Sequence, residues 1–87
     1  MKVFVVIDDA MGGNQYAGVH RDRPDARPGT WVLEVNVVGV QTDPQFVYIA
    51  QTYDPTMDVH RYEGVYGDYD SARCASGQRG STLSIKI

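Results

Sequence analysis

An internal repeat is the feature that most constrains the fold of this chain. Three short patterns recur in the same order in both halves, which is typical of a duplicated structural unit. Residues 3–6 match residues 47–50, residues 16–20 match residues 62–66, and residues 22–27 match residues 68–73. The first pair is offset by 44 residues and the other two by 46. Because one such unit cannot bury both faces of its own sheet, the two copies are expected to share one core.

Alternation of apolar and polar side chains predicts the strands within each copy. Residues 31–37 alternate between an inward row that begins with Trp31 and a wetter row that includes Glu34. Residues 83–87 alternate in the same way, with Leu83 in the inward row. Residues 3–7 are apolar on both faces, which indicates a central or covered strand, and residues 47–50 are similar.

The connector before the last strand differs between the copies. In the first copy, Pro24 and Pro28 exclude a helix of useful length. In the second copy, Asp70 or Ser71 is predicted to cap a short helix that ends at Gly77.

The length and the repeat together predict the fold class. A chain of 87 residues is the size of one domain, so residues 1–87 are expected to form a single unit. Its pseudo-repeats span about residues 2–40 and 46–87, each with the order strand, hairpin strand, short helix or turn, strand. The predicted fold is mainly β, α+β at most, with an antiparallel sheet of about six strands that is either curled or folded over.

The charge of the chain is modest and evenly spread. The formal net charge is −3, and acids and bases are interspersed without a basic patch, which argues against nucleic-acid binding. The apolar run at residues 3–7 is too short for a secretory signal, and no stretch approaches the ~20 apolar residues of a membrane span. A single cysteine does not make a disulfide framework. We therefore expect a small acidic cytoplasmic protein without a membrane partner.

The second copy carries a Gly-Val-Tyr step at residues 64–66 and a helix signal at residues 70–72. This pattern resembles small phage-encoded and prophage-encoded β-hairpin domains of unknown function, here as a degenerate tandem repeat. The first copy shares the strand and the Gly-Val step at residues 18–19 but lacks the helix. The resemblance implies a phage accessory protein that acts on a host protein or a host defence system.

No spacing in the sequence indicates catalysis or a metal centre. Neither a nucleophile–base pair nor an acid–base pair can be identified, so no enzyme activity and no cofactor are predicted. His20 and His60 are too few for a structural zinc site. The acidic pairs lack the ligand number of a calcium loop; they are Asp8/Asp9, Asp54/Asp58 and Asp68/Asp70.

Several polar and small residues are interpreted as structural. Asp54 is expected to begin a turn and Asp70 to cap the helix. Gly12 and Gly13 are expected in a tight turn and not in a phosphate loop, because the phosphate-loop pattern is missing. Cys74 is expected to be half-buried in the helix.

Tyrosines near the turns of the second copy suggest a surface that contacts another protein. Tyrosine and arginine are enriched where interfaces have their strongest contacts. The predicted contact residues are Tyr53, Arg61, Tyr66, Asp68, Tyr69 and Asp70. The alternative is that these rings cover a small core from its rim.

The sequence therefore favours a binding protein without catalysis, which docks on a host protein and modulates or inhibits it. One alternative is a structural module that self-assembles through the last strand, residues 82–87, and a homodimer stays open. Another is a nucleotide-binding sponge that uses Arg21, Arg23 or Arg27 across a dimer seam.

Overall fold

We describe residues 1–9 and 13–87 of the protein from a computed structural model. The described residues form six strands and one helix, so the mainly β fold class is confirmed. In chain order these are β1 (Lys2–Asp8), β2 (Gln15–His20), β3 (Thr30–Asn36), β4 (Phe46–Asp54), β5 (Val59–Tyr66), α1 (Tyr69–Ser76) and β6 (Ser81–Lys86).

The strands form two antiparallel sheets of three strands each. The first sheet has the order β2-β1-β3, and the second has the order β5-β4-β6. The central strands β1 and β4 are the two segments whose apolar residues occupy both faces, which agrees with the prediction of central strands. The apolar inner faces of the two sheets bury each other, so the predicted six strands are divided between two sheets.

The two halves share one topology and one pattern of strand pairing. The register of β1 with β2 shifts between Val6 and Ile7, and the register of β4 with β5 shifts between Ala50 and Gln51. These two bulges are 44 residues apart, which is the offset of the first repeated pattern. The shared path is an observed property of the fold; a common origin of the two halves stays a prediction.

The core consists of aliphatic side chains from both sheets and from Val37, which directly follows β3. These are Val3, Val5, Ile7, Val37, Val47, Ile49 and Val65. Burial of each such side chain stabilises the fold by about 1.5–3 kcal/mol relative to an exposed position. Trp31 was predicted in the inward row of β3, but it is 49% exposed. It lies near the end of an edge strand and is not among the residues that pack against this core.

Helix α1 covers the outer face of the second sheet. Its Ala72 and Ser76 are buried, as is Ala50 on β4. The hydroxyl of Ser76 donates to the carbonyl oxygen of Ala72 at 2.8 Å and lies 2.9 Å from that of Ser81. These contacts hold the end of the helix against the start of β6.

The residue that caps α1 is Asp68, and the prediction of Asp70 or Ser71 was wrong. A carboxylate oxygen of Asp68 accepts a hydrogen bond from the Ser71 backbone N–H at 2.9 Å. Asp68 has the extended backbone that an N-cap residue requires, so the helix begins at the next residue. The helix ends at Gly77 as predicted.

Two other structural predictions have different outcomes. Asp54 begins a turn as expected, because its carboxylate accepts the backbone N–H groups of Thr56 and Met57. Cys74 is exposed and not half-buried, because it lies on the outward side of α1. Gly12 lies outside the described residues, and Gly13 has a positive φ of 85°.

Within the part of the chain that the structure describes, no helix is long and apolar enough to cross a membrane.

Candidate functional site

The six predicted contact residues fall into two groups at opposite ends of β5. Tyr53 and Arg61 belong to the hairpin end, where β4 turns into β5. The other four lie where β5 leads into α1. Tyr48 is the partner of Tyr66 and lies five positions before Tyr53 on β4, a distance of about 17 Å at 3.3 Å per residue. The structure therefore does not bring all six residues together.

Arg61 is engaged in structural contacts at the hairpin end. Its Nε and Nη2 atoms lie 3.1 Å and 3.0 Å from Oδ2 of Asp54. Its Nη1 atom donates to the carbonyl oxygen of Gly13, which precedes β2. The hydrogen bonds from Arg61 lower the pKa of the Asp54 carboxyl group below its ordinary value. Arg61 thus links the hairpin of the second half to the first half.

Tyr53 is also held by neighbours within the hairpin end. Its hydroxyl donates to a carboxylate oxygen of Asp58, and this hydrogen bond raises the pKa of Tyr53. The guanidinium carbon of Arg79 lies 4.9 Å from the centre of the Tyr53 ring, and the His60 ring lies 5.4 Å from it. Tyr53 is therefore half-buried and held by neighbours on its own half of the chain.

The second group lies beside the segment that joins the two halves, residues 37–45. The Val38 N–H donates to the Val65 carbonyl at 2.9 Å, and the Gly67 N–H donates to the Val38 carbonyl at 2.9 Å. A side chain at position 67 would collide with the backbone of Val40, so the joining segment lies directly against residues 65–67. This contact places an exposed apolar segment next to the start of α1.

We call the resulting patch the linker–helix surface. It consists of Val38, Val40, Tyr66, Asp68, Tyr69 and Asp70. Val40 is 83% exposed, Val38 is 53% exposed and Tyr69 is 47% exposed. Tyr66 is half-buried at the edge of the patch. Four of the predicted contact residues are therefore neighbours on one surface.

Tyr69 is oriented by the sheet beneath it. Its ring packs edge-to-face against the ring of Tyr48 on β4, with centres 6.1 Å apart and planes at 88°. Such aromatic pairs contribute about 0.5–1.5 kcal/mol beyond the area that they bury. Tyr69 therefore presents its remaining surface in a fixed direction, and Asp70 follows it on the exposed first turn of α1.

The acidic residues of this surface have different tasks. The Ser71 backbone N–H holds Asp68 in place and lowers the pKa of its carboxyl group. Asp70 is exposed in the first turn of α1, where a negative charge is favourable to the helix dipole. The patch thus combines apolar side chains with a negatively charged border.

Sequence reasoning missed Val38 and Val40. The feature of the sequence that could have identified these two valines is the apolar run at residues 37–40, which continues after the alternation of β3 has ended. An apolar run without alternation predicts buried residues. Of the three valines in this run, however, only Val37 is buried. The pairing of Val38 with Tyr66 could not be inferred, because it depends on how the two halves pack.

The structure places the other candidates separately. His20 is exposed on edge strand β2, at the position that Tyr66 occupies on β5. Among the described residues, no group of three or more histidine, cysteine, aspartate or glutamate side chains is arranged to hold a metal ion. Arg21 donates to the Pro44 carbonyl oxygen at 2.9 Å, and Arg23 lies over the ring of Phe4.

Comparison with known protein families, curated proteins and solved structures found no match to this chain.

Proposed function

We propose that this chain is a non-catalytic binding protein that docks on a partner protein through the linker–helix surface. The observation that carries the proposal is the exposure of Val38, Val40 and Tyr69 on two segments that backbone hydrogen bonds hold next to each other. Proteins rarely leave adjacent apolar side chains in water unless the patch has a use. Apolar and aromatic residues enclosed by a polar border are also the usual composition of a protein–protein interface.

The patch is held in place before any partner binds. Backbone hydrogen bonds fix residues 38 and 67 to each other, and the Thr42 N–H donates to the Gly67 carbonyl at 3.0 Å. Tyr69 rests on Tyr48. A partner would therefore order few side chains on binding, which reduces the entropic cost of association.

The charge of the border indicates the chemistry of the partner. Asp68 and Asp70 flank the apolar residues, and the whole chain carries a net charge of −3. A partner with an apolar pocket bordered by lysine or arginine would match this surface. Opposite charges of this kind increase the rate of association and select against acidic competitors.

The resemblance to phage-encoded domains supplies the setting of the proposal. In that setting the chain is an accessory protein in the host cytoplasm that modulates or inhibits a host protein, such as a component of a defence system. Inhibition by docking needs only complementary shape and a few strong contacts, which a domain of this size can provide.

The experiment is an affinity purification with three forms of the tagged protein from a host lysate. The forms are wild type, Val40→Ser/Tyr69→Ala, and Met57→Ser as the matched control. Met57 is 42% exposed at the tip of the β4–β5 hairpin, away from the patch. Quantitative mass spectrometry should show one protein that is retained by wild type and Met57→Ser and lost by the double variant.

Binding is then measured with the purified partner. We expect the double variant to lose at least about 2 kcal/mol of binding free energy, which is the range of a strong interface contact. Circular dichroism of the double variant establishes that it is folded. If the double variant recovers every captured protein as well as wild type does, the linker–helix surface is not the docking site.

A self-assembling module is the second candidate, because β3 and β6 are edge strands of their sheets. Strand β6 has one charged residue, Lys86, as a safeguard against pairing with another chain. Light scattering coupled to size exclusion at increasing protein concentration tests this candidate. A monomer at all concentrations would exclude it.

A further inference from the structure

The outer face of the first sheet has an open groove at the place where the second sheet has its helix. In the second half, Ala72 and Ser76 of α1 fill this place. In the first half, the connector at residues 21–29 crosses as irregular chain, because Pro24 and Pro28 prevent a helix. The connector leaves a groove of about 600 Å³ between itself and the sheet.

The groove is lined by both apolar and polar residues. Val6 on the central strand, Ala17 on β2 and Pro24 on the connector provide apolar lining. His20, Asp25 and Arg27 line it with polar groups. Among residues 1–9 and 13–87, the side chains of these three have no hydrogen bond or ion pair.

We propose that this groove binds a mononucleotide. The Arg27 guanidinium group donates to the phosphate in the two-pronged geometry that arginine favours, and the His20 ring adds an N–H donor. The Asp25 carboxylate accepts hydrogen bonds from the ribose hydroxyls. The base packs against the apolar lining residues Val6, Ala17 and Pro24.

The combination of groups selects this class of ligand over simpler anions. Asp25 repels an isolated phosphate, so inorganic phosphate binds less well than a ligand that also carries hydroxyl donors. The volume of the groove lies in the range of about 300–1,000 Å³ that small-molecule sites have. The phosphate, the ribose and the base of the ligand thus each have a chemical counterpart in the lining of the groove.

Arg27 is the arginine that the groove uses, out of the three that the sequence suggested. Arg21 is bound to the Pro44 carbonyl oxygen, and Arg23 covers Phe4. Neither lines the groove. The site also lies within one chain and does not need a dimer seam.

The test is a titration of ¹⁵N-labelled protein, followed by amide chemical shifts. The probes are AMP, adenosine and inorganic phosphate, each up to about 10 mM, which detects a dissociation constant near 1 mM. We expect saturable shifts at Val6, Ala17, His20 and Thr30 with AMP, and weaker binding of the other two probes. No shift at these amides with AMP would overturn the proposal.

Variants separate a directed contact from general attraction between charges. Arg27→Gln should weaken AMP binding about tenfold, because one charge-assisted hydrogen-bond pair is lost. Arg23→Gln removes the same charge from the same connector and should leave binding unchanged. Asp25→Asn should weaken AMP binding and strengthen phosphate binding. If Arg27→Gln and Arg23→Gln weaken AMP binding equally, the connector attracts anions only through its overall charge, and the proposal is contradicted.

The groove and the linker–helix surface involve different residues, so the two proposals fail separately. The variant Val40→Ser/Tyr69→Ala should bind AMP as wild type does. Loss of AMP binding in that variant, while the protein remains folded, would contradict the placement of the ligand in the groove.

Discussion

Arg61 has a different role in the structure from the one that the sequence suggested. Its position next to turn tyrosines suggested that it contacts a partner protein. In the fold, the guanidinium group is occupied by Asp54 and by the Gly13 carbonyl oxygen, which lies 48 residues away in the chain. Because the sequence does not show where Gly13 lies, this structural role could not be predicted.

The effect of Arg61 on Asp54 can be measured directly. Folding lowers the pKa of Asp54 below its ordinary value of 3.8, chiefly through the hydrogen bonds from Arg61. The ionised carboxylate therefore stabilises the fold above pH 3.8, and this contribution is lost as the pH falls through the pKa of the folded state. In Arg61→Gln we expect the pKa of Asp54 to rise, as measured by carboxyl NMR titration.

Asp68 provides the internal control for that titration. Its pKa is lowered chiefly by the Ser71 backbone N–H, so Arg61→Gln should leave it unchanged. An unchanged pKa of Asp54 in the variant would show that Arg61 does not hold the carboxylate in solution.

Gly80 is a second residue whose role depends on its neighbours. A side chain there would collide with the backbone carbonyl oxygens of Ser76 and Gln51, which belong to α1 and β4. We expect Gly80→Ala to destabilise the protein by more than about 2 kcal/mol, measured by urea denaturation. Gly29→Ala is the matched control, because its positive φ gives strain of about 1–2 kcal/mol but no atom lies within 4 Å of the new Cβ. A smaller cost at Gly80 than at Gly29 would contradict this close packing.

At the scale of elements, the pattern of apolar and polar residues predicted the type of each helix or strand better than its first and last residues. The apolar runs of β1 and β4 identified central strands, and the prolines of the first connector correctly excluded a helix. The start of α1 was placed too late, because three acidic or hydroxyl residues near it can all cap a helix. Only the backbone geometry of Asp68 identifies the cap.

The cap assignment predicts a difference between two neighbouring aspartates. Asp68→Ala should destabilise the protein by about 1 kcal/mol, because a helix N–H loses its acceptor. Asp70→Ala removes the same charge from the first turn and should cost no more than about 0.5 kcal/mol, since it loses only an exposed charge–dipole interaction. Urea denaturation of both variants measures the difference. Equal losses would mean that the cap contributes through charge alone.

At the scale of the whole molecule, the core joins the two sheets into one structure. Ile7 is fully buried in the first sheet and Ile49 in the second. The sequence predicted this shared interior from the alternating rows, because each row needs another apolar face. It did not predict the exposed position of Trp31, which depends on where the core ends.

A shared core predicts that damage to either sheet weakens both. Ile7→Ala and Ile49→Ala should each lower the free energy of unfolding by about 2–5 kcal/mol. Hydrogen exchange should show reduced protection in both sheets for each variant, because the sheets unfold together. Loss of protection confined to the altered sheet would show that the sheets are independent units.

Only part of the candidate site could be predicted from the sequence, because the rest depends on how the two halves pack. Four residues near the start of α1 were identified by their type, as tyrosines and acids close to a turn. The valines that complete the patch come from the segment between the two halves, and their neighbours are set by packing across the molecule. Local patterning cannot supply such long-range neighbours.

The way the halves are joined has a consequence for how copies of this chain interact. The core forms between two halves whose only covalent connection is the segment at residues 37–45. If the part of this segment after Val37 straightens, the first half of one chain can pack on the second half of another with the contacts between the two sheets kept. Such an exchange is a low-cost route to an intertwined dimer. Shortening the segment would prevent closure within one chain, and the exchanged form would then dominate at high protein concentration.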